Sequence, residues 1–304
     1  MASISALPAT PLPALPPCHM AMPPASLPVS APDGFVRQSI LMPLNAPVSA
    51  YKAQLLPPTT PIALGAPTTL YMRLQEAATG LPPQGLEIVH EKPVHMFLVS
   101  QDLSDFQHVH PALVAPGLLE IPATFSKTGP YSVFAQFKPI QQAEQTVSTQ
   151  FQVPGPPMPL KPLQLDTTDT KTCLDKDQAG AMQAYTYRIV NLPSAVGQPI
   201  RFQVHVLKNG QPVQQIDPFL GAAGHAIIVS ANHEAFAHAH AMDGMSPMAN
   251  MPGCTMAMPM PHNLAQLNFE SDAVIQRPGV YKAWIQTQVD GRVKTVDWTF
   301  CVPG

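Results

Sequence analysis

The chain has 304 residues, of which only 12% are charged, and a formal net charge of -3. This near-neutral background contains no Lys/Arg cluster, which argues against a nucleic-acid or anionic-membrane surface. No apolar run reaches the roughly 18 residues of a membrane span.

Proline is abundant, with 38 residues, and is concentrated in an N-terminal tail (1–34) and between two halves of the chain (155–180). Both stretches are expected to be extended tail and linker rather than packed structure. Met1 to Ser30 holds no Lys or Arg and is broken by Pro8, Pro11, Pro13, Pro16 and Pro17, so it lacks the pattern of an export signal. The tail carries the cluster Cys18-His19-Met20-Ala21-Met22-Pro23.

Beyond the tail, short β-branched or aromatic runs predict strands at Tyr71–Leu74, Val94–Ser100, Tyr131–Phe137, Ile200–Val206, Ala226–Val229 and Tyr281–Gln286. Gly, Pro, Asn and Asp punctuate them at the short intervals of antiparallel sheets. No segment of helical length keeps an apolar i, i+3, i+4, i+7 pattern free of proline. The expected fold is all-β: two tandem antiparallel β-sandwiches, immunoglobulin-like or cupredoxin-like, over 35–154 and 181–304.

The two halves are copies. His95, His108 and His110 recur as His225, His238 and His240, each displaced by 130 positions. Phe106-Gln-His-Val-His110 matches Phe236-Ala-His-Ala-His240, and Gly129, Tyr131 and Phe134 match Gly279, Tyr281 and Trp284, where the displacement has grown to 150. An insert of about twenty residues therefore follows His240 in the second copy.

Residues i and i+2 of a strand share a face, so His108 and His110 lie together, as do His238 and His240. The stretch 94–110 reads as a hairpin turning at Gln101–Asp105, which brings His95 onto their face or one position off it, depending on a register that local sequence does not fix. Several imidazoles on one sheet make a partial coordination shell for copper, zinc or nickel. A solvated strand face is the plainer reading for one copy; the duplication favours the ligand reading.

The insert, 242–262, sharpens the metal. It contains Met242, Met245, Met248, Met251, Cys254, Met256, Met258, Met260 and His262, and Cys254-Thr-Met-Ala-Met-Pro259 nearly repeats the tail cluster. Thioether and thiolate sulfur are soft ligands that select Cu(I). These methionines alternate with Pro, Gly, Ser and Asn without amphipathic period, unlike core-filling methionine. Copper, as Cu(I), Cu(II) or both, is the expected ligand.

Four cysteines allow three disulfide pairings. Cys173, near the start of the second module, and Cys301, in its last strand, suit a staple; Cys18 and Cys254 suit a second disulfide or a joint soft site. His233-Glu-Ala-Phe-Ala-His238 resembles a zinc-protease helix motif, but its histidines stand five apart instead of four. No nucleophile elbow or phosphate loop is present, and no enzymatic activity is expected.

The motif His95-x-Phe97-x-Val99-Ser100-x-Asp102-Leu103-x-x-Phe106-x-His108-x-His110-Pro111, followed by Gly129-x-Tyr131-x-x-Phe134-x-x-Phe137, resembles bacterial exported proteins of copper and heavy-metal handling (YtkA-like or FixH-like, with cupredoxin-like sandwiches). The second copy departs at Asn232, Ala241 and Thr287, which stand where the first has Asp102, Pro111 and Phe137. The resemblance implies an extracytoplasmic, metal-associated role but no settled activity. Taken with the histidine faces and the Met/Cys segment, the expectation is a periplasmic or extracellular copper-sequestering protein or metallochaperone, exchanging copper with a delivering or accepting protein. A protein-interaction sandwich and a copper-dependent redox protein are the alternatives.

Overall fold

The computed structural model describes residues 49–58, 60–241 and 265–304. The chain forms two compact units, one mainly of residues up to Leu163 with Ser230–Phe236 and the other mainly of residues from Gln164 onward, and every regular element among the described residues is a β-strand. The architecture is a tandem pair of β-sandwiches.

The first module contains β1 (Tyr51–Leu56), β2 (Pro67–Glu76), β3 (Leu86–Glu87), β4 (Val94–Ser100), β5 (Phe106–Val109), β6 (Ala112–Ala115), β7 (Leu118–Thr124), β8 (Gly129–Pro139) and β9 (Gln145–Val153). One sheet runs β1-β2-β7-β6; the other runs β3-β8-β4-β5, with β9 also paired to β8. Alternation along β2 buries Leu70, Met72 and Leu74 and turns Thr69 and Arg73 to solvent, the signature of a sheet with one wet face. Buried side chains of both sheets, among them Met72, Leu98, Ile121 and Val133, form the core. β4, by contrast, is buried along its whole length.

The second module contains β10 (Thr170–Lys176), β11 (Met182–Val190), β12 (Pro199–Lys208), β13 (Gln211–Pro212), β14 (Gly224–Ser230), β15 (Phe236–Ala241), β16 (Gln266–Val274), β17 (Gly279–Val289) and β18 (Arg292–Val302). Their order is β10-β11-β12-β16-β15-β14-β17-β18, with β13 on β12. The path β11-β12-β16 repeats β1-β2-β7, and β15-β14-β17-β18 repeats β5-β4-β8-β9. All six strands expected from the sequence lie inside β2, β4, β8, β12, β14 and β17.

Two expectations need correction. The stretch 155–180 is not wholly linker, because it contains β10, paired over its length with β11. Its alternating Thr, Lys and Asp residues carry little apolar signal, since the strand sits at a sheet edge with Leu174 72% exposed. Cys173 lies on this edge strand as a free thiol, so the Cys173–Cys301 staple does not form. Burial raises the pKa of Cys173. The tail expected at 1–34 and the insert 242–262 lie outside the described residues.

The two cores distribute bulk differently. Ala53 of β1 pairs with Leu74, and the equivalent partner of Val206 is Tyr187; Phe137 of β8 is replaced by Thr287 of β17. The large-small exchange is completed by a buried hydrogen bond of 2.8 Å between Tyr187 Oη and Thr287 Oγ1. Gly224 begins β14 where the first module has Val94, and a Cβ there would lie 2.8 Å from Phe269 Cζ. Tyr281 donates to Arg277 O at 2.7 Å in the manner of a tyrosine corner, whereas the equivalent Tyr131 hydroxyl, 3.4 Å from Lys127 O, gives its proton to Asp105 Oδ2.

Candidate metal centres

The hairpin β4–β5 sets the first site. Phe97 pairs with His108 and Met96 with Val109; continued by one residue, this register places His95 opposite His110. All three imidazoles therefore project from one face, which settles the register question left open by the sequence. The turn between the strands is fastened by Asp102, whose Oδ1 accepts from Ser100 Oγ at 2.8 Å and Ser104 N at 3.2 Å. The same device recurs at β14–β15, where Asn232 Oδ1 accepts from Ser230 Oγ at 2.7 Å and Glu234 N at 3.2 Å. Leu103 and His233, 130 positions apart, take the same left-handed conformation in the two turns, at φ 54° and 60°.

His95, His108 and His110 form one group, and His225, His238 and His240 another, each with its three candidate ligand atoms within 4.8 Å of one another. His95 Nδ1 and His110 Nε2 both lie 3.2 Å from His108 Nε2. His225 Nδ1 lies 3.1 Å from His238 Nε2. Nitrogens bound about 2.0–2.1 Å from a tetrahedral ion stand about 3.3 Å apart, so these separations already match ligand spacing. In the first module, Phe97 packs on the His108 ring with centroids 4.5 Å apart, which limits its rotation.

A feature the histidine pattern does not reveal orients the first histidine of each triad. His95 Nε2 lies 3.0 Å from Val89 O, and His225 Nε2 2.8 Å from Phe219 O. A carbonyl oxygen only accepts, so Nε2 carries the proton and Nδ1 of the neutral ring faces the triad with its lone pair. Ligating histidines are commonly fixed by such an outer hydrogen bond.

Both carbonyls come from equivalent tight turns closed by the bridges Val89–Lys92 and Phe219–Ala222. Their central residues are left-handed: His90 and Glu91 at φ 48° and 66°, Leu220 and Gly221 at φ 52° and 68°. Two consecutive left-handed residues mark a type I′ turn. A non-glycine residue there costs roughly 1–2 kcal/mol, a strain retained in both modules at the site's edge. Gly221 was the one turn signal available; Val89-His90-Glu91-Lys92 carries none.

Burial pushes the pKa of His95 down to about 4, opposed by its bond to Val89 and assisted by the charges of His90 and Lys92. Burial likewise pushes His110 down to about 4, with His95 and Lys92 adding to the effect. Neutral imidazole is the ligating form. Nδ1 of His95 is bare, and His108 Nε2 can hold one proton at most, so the neutral triad converges on a single hydrogen. An ion in that place would meet three lone pairs. The donor set suits a borderline divalent cation.

Among the described residues neither triad includes a cysteine, which a His2Cys type 1 copper site requires. His233 sits in a turn and His238 in β15, which removes the helical protease motif. Met242, Met245, Met248, Met251, Cys254, Met256, Met258, Met260 and His262, with Cys18, His19, Met20 and Met22, lie outside the described residues.

The duplicated fold and duplicated triad coincide with a sequence family. A family model described as "Domain of unknown function (DUF8832)" matches residues 46–155 and 181–304. The chain belongs to this family. The two matches contain one complete triad each, so the histidine sites lie inside the repeated domain. No curated protein matches the chain.

Among solved structures, similarity extends to a tetra-tandem repeat in the extending region of a large adhesion protein, at 10% identity and TM-score 0.24, covering 84% of this chain and 49% of that one. It extends also to Salmonella alpha-2-macroglobulin reacted with methylamine, at 14% identity and TM-score 0.23, covering 91% and 16%. Escherichia coli alpha-2-macroglobulin in its native conformation is similar at 11% identity and TM-score 0.22, covering 85% and 15%. The chain thus spans less than half the length of each of these proteins.

Proposed function

We propose that this protein binds metal ions through its two histidine triads and serves copper handling outside the cytoplasm, as a sequestering protein or metallochaperone and not as an enzyme. The observation that carries the reading is the convergence of three imidazoles in each module, with the first ring of each oriented by a backbone carbonyl. Two copies of one arrangement are poorly explained by a solvated strand face.

Copper is favoured by the composition around the second triad. His240 is followed within two residues by the segment 242–262, with seven methionines, Cys254 and His262. Imidazole accommodates Cu(II), whereas thioether and thiolate sulfur select Cu(I). A chain offering both accepts copper in either oxidation state and can pass it to a partner protein. The likeness of His95–Pro111 to exported metal-handling proteins supports the extracytoplasmic placement.

The test is equilibrium copper analysis of the purified full-length chain after mild chelation, with Cu(II) and with Cu(I) or Ag(I). Stoichiometric uptake is expected. Deleting 242–262 should reduce Cu(I) or Ag(I) binding more than replacing His108 and His110, which should reduce Cu(II) binding. No uptake of either ion would favour the protein-interaction sandwich, and defined redox cycling with an acceptor would favour an electron-transfer protein.

A further inference from the structure

The two triads are equivalent in their six histidines but not in the turn beside them. The turn that supplies the Val89 carbonyl to His95 carries His90 at its next position; the turn that supplies the Phe219 carbonyl to His225 carries Leu220 there. The backbones agree, with φ 48° at His90 and 52° at Leu220, so the difference is one of side chain alone.

His90 is close to the first site. Its ring centroid lies 6.3 Å from that of His95, edge-on at 74°. Within the triad the corresponding separations run from 4.7 Å to 5.5 Å. His95 is buried and bonded at Nε2, and His90 is partly exposed on its turn.

We propose that His90 is a fourth imidazole ligand of the first centre, swinging onto the ion held by His95, His108 and His110, while the second centre, with Leu220 in its place, keeps an open position. This rests on the metal-binding reading and deepens it. Four protein ligands close a tetrahedral site, as in structural metal centres; three leave one position for an incoming ligand. The first centre would then retain its divalent ion, and the second would exchange it, next in sequence to the sulfur-rich segment 242–262.

The experiment uses the full-length chain and inorganic Co(II), whose visible absorption reports tetrahedral nitrogen coordination and which is a poor match for thioether sulfur. In a background with His238→Ala and His240→Ala, the first centre is titrated with and without His90→Leu. In the reciprocal background, with His108→Ala and His110→Ala, the second centre is titrated with and without Leu220→His. Each change installs a residue that the fold already holds at the matching left-handed position, so folding should be retained, as circular dichroism would verify.

Loss of a hydrogen-bond partner behind a ligand already weakens metal sites about 10–100-fold, and loss of a direct ligand should cost no less than the lower figure. His90→Leu is therefore expected to raise the Co(II) dissociation constant at least tenfold, and Leu220→His to lower that of the second centre by a similar factor. Equal affinities with and without His90 in a triad that binds Co(II) would overturn the fourth-ligand proposal alone. Absence of Co(II) binding with His90 present would overturn the triad reading and this proposal together.

Discussion

His225 Nδ1 stands 3.1 Å from His238 Nε2, and both rings are buried. The opposite nitrogen of His225 is held by Phe219 O, so the facing Nδ1 has a lone pair and no proton. The expected outcome is that nitrogen-15 NMR of the metal-free protein at neutral pH shows His95 and His225 as Nε2–H tautomers. Nδ1–H tautomers at these two residues would remove the carbonyl-oriented ligand from the argument.

An ion that binds only the folded triads stabilises the protein by mass action, about 2.7 kcal/mol per site at a free concentration one hundred times its dissociation constant. Thermal unfolding should therefore move upward with added Cu(II). His238→Ala with His240→Ala should abolish the share due to the second module and leave that of the first. An unfolding temperature indifferent to Cu(II) would contradict metal binding at both centres.

Acid stability should depend on Asp102. Burial by itself would raise its pKa, but the Lys127 ammonium, Lys161 N and the Ser104 and Ser100 hydroxyls outweigh this and hold the carboxyl well below the usual carboxylate range. A depressed pKa contributes stability above the unfolded value near 4, which is lost as pH falls toward the folded pKa. The side chains of Asp102 and Lys127 are 2% and 9% exposed, and breaking a buried pair costs about 3–5 kcal/mol. Asp102→Asn, the side chain found at Asn232, should lose that order of stability in urea unfolding at pH 7. It should also show less further loss on acidification to pH 3 than the wild type. Equal losses at both pH values would show that the Lys127 pairing does not control the transition.

Tyr187 and Thr287 test the exchange of bulk between modules. Tyr187→Phe leaves the buried Thr287 hydroxyl without its 2.8 Å partner, a penalty of about 1–3 kcal/mol. Adding Thr287→Val should recover part of it, because replacing both partners is cheaper than orphaning one. Strictly additive losses would show that the two hydroxyls are not energetically coupled.

Sequence reading recovered the six marked strands because each is a short β-branched or aromatic run whose alternation reports burial. It missed β10, where Thr170, Lys171, Thr172 and Asp175 decorate a sheet edge with little core to satisfy. Proximity in terminal strands suggested that Cys173 and Cys301 pair. A disulfide requires specific side-chain approach as well as strand adjacency, and Cys173 is free.

By itself, the sequence determined that the chain is a duplicated β module with two His-x12-His-x-His sets, and that a Met/Cys-rich segment follows only the second. Repeat displacement and period-two alternation are local properties of the order of residues. The tertiary structure decided that His95 lies on the face of His108 and His110, and that Val89 O and Phe219 O orient the first histidine of each triad. It also decided that His90 stands beside one triad while Leu220 stands beside the other. Those facts depend on strand register and on turns meeting strands from outside the motif, and both are set by long-range packing that no local pattern contains.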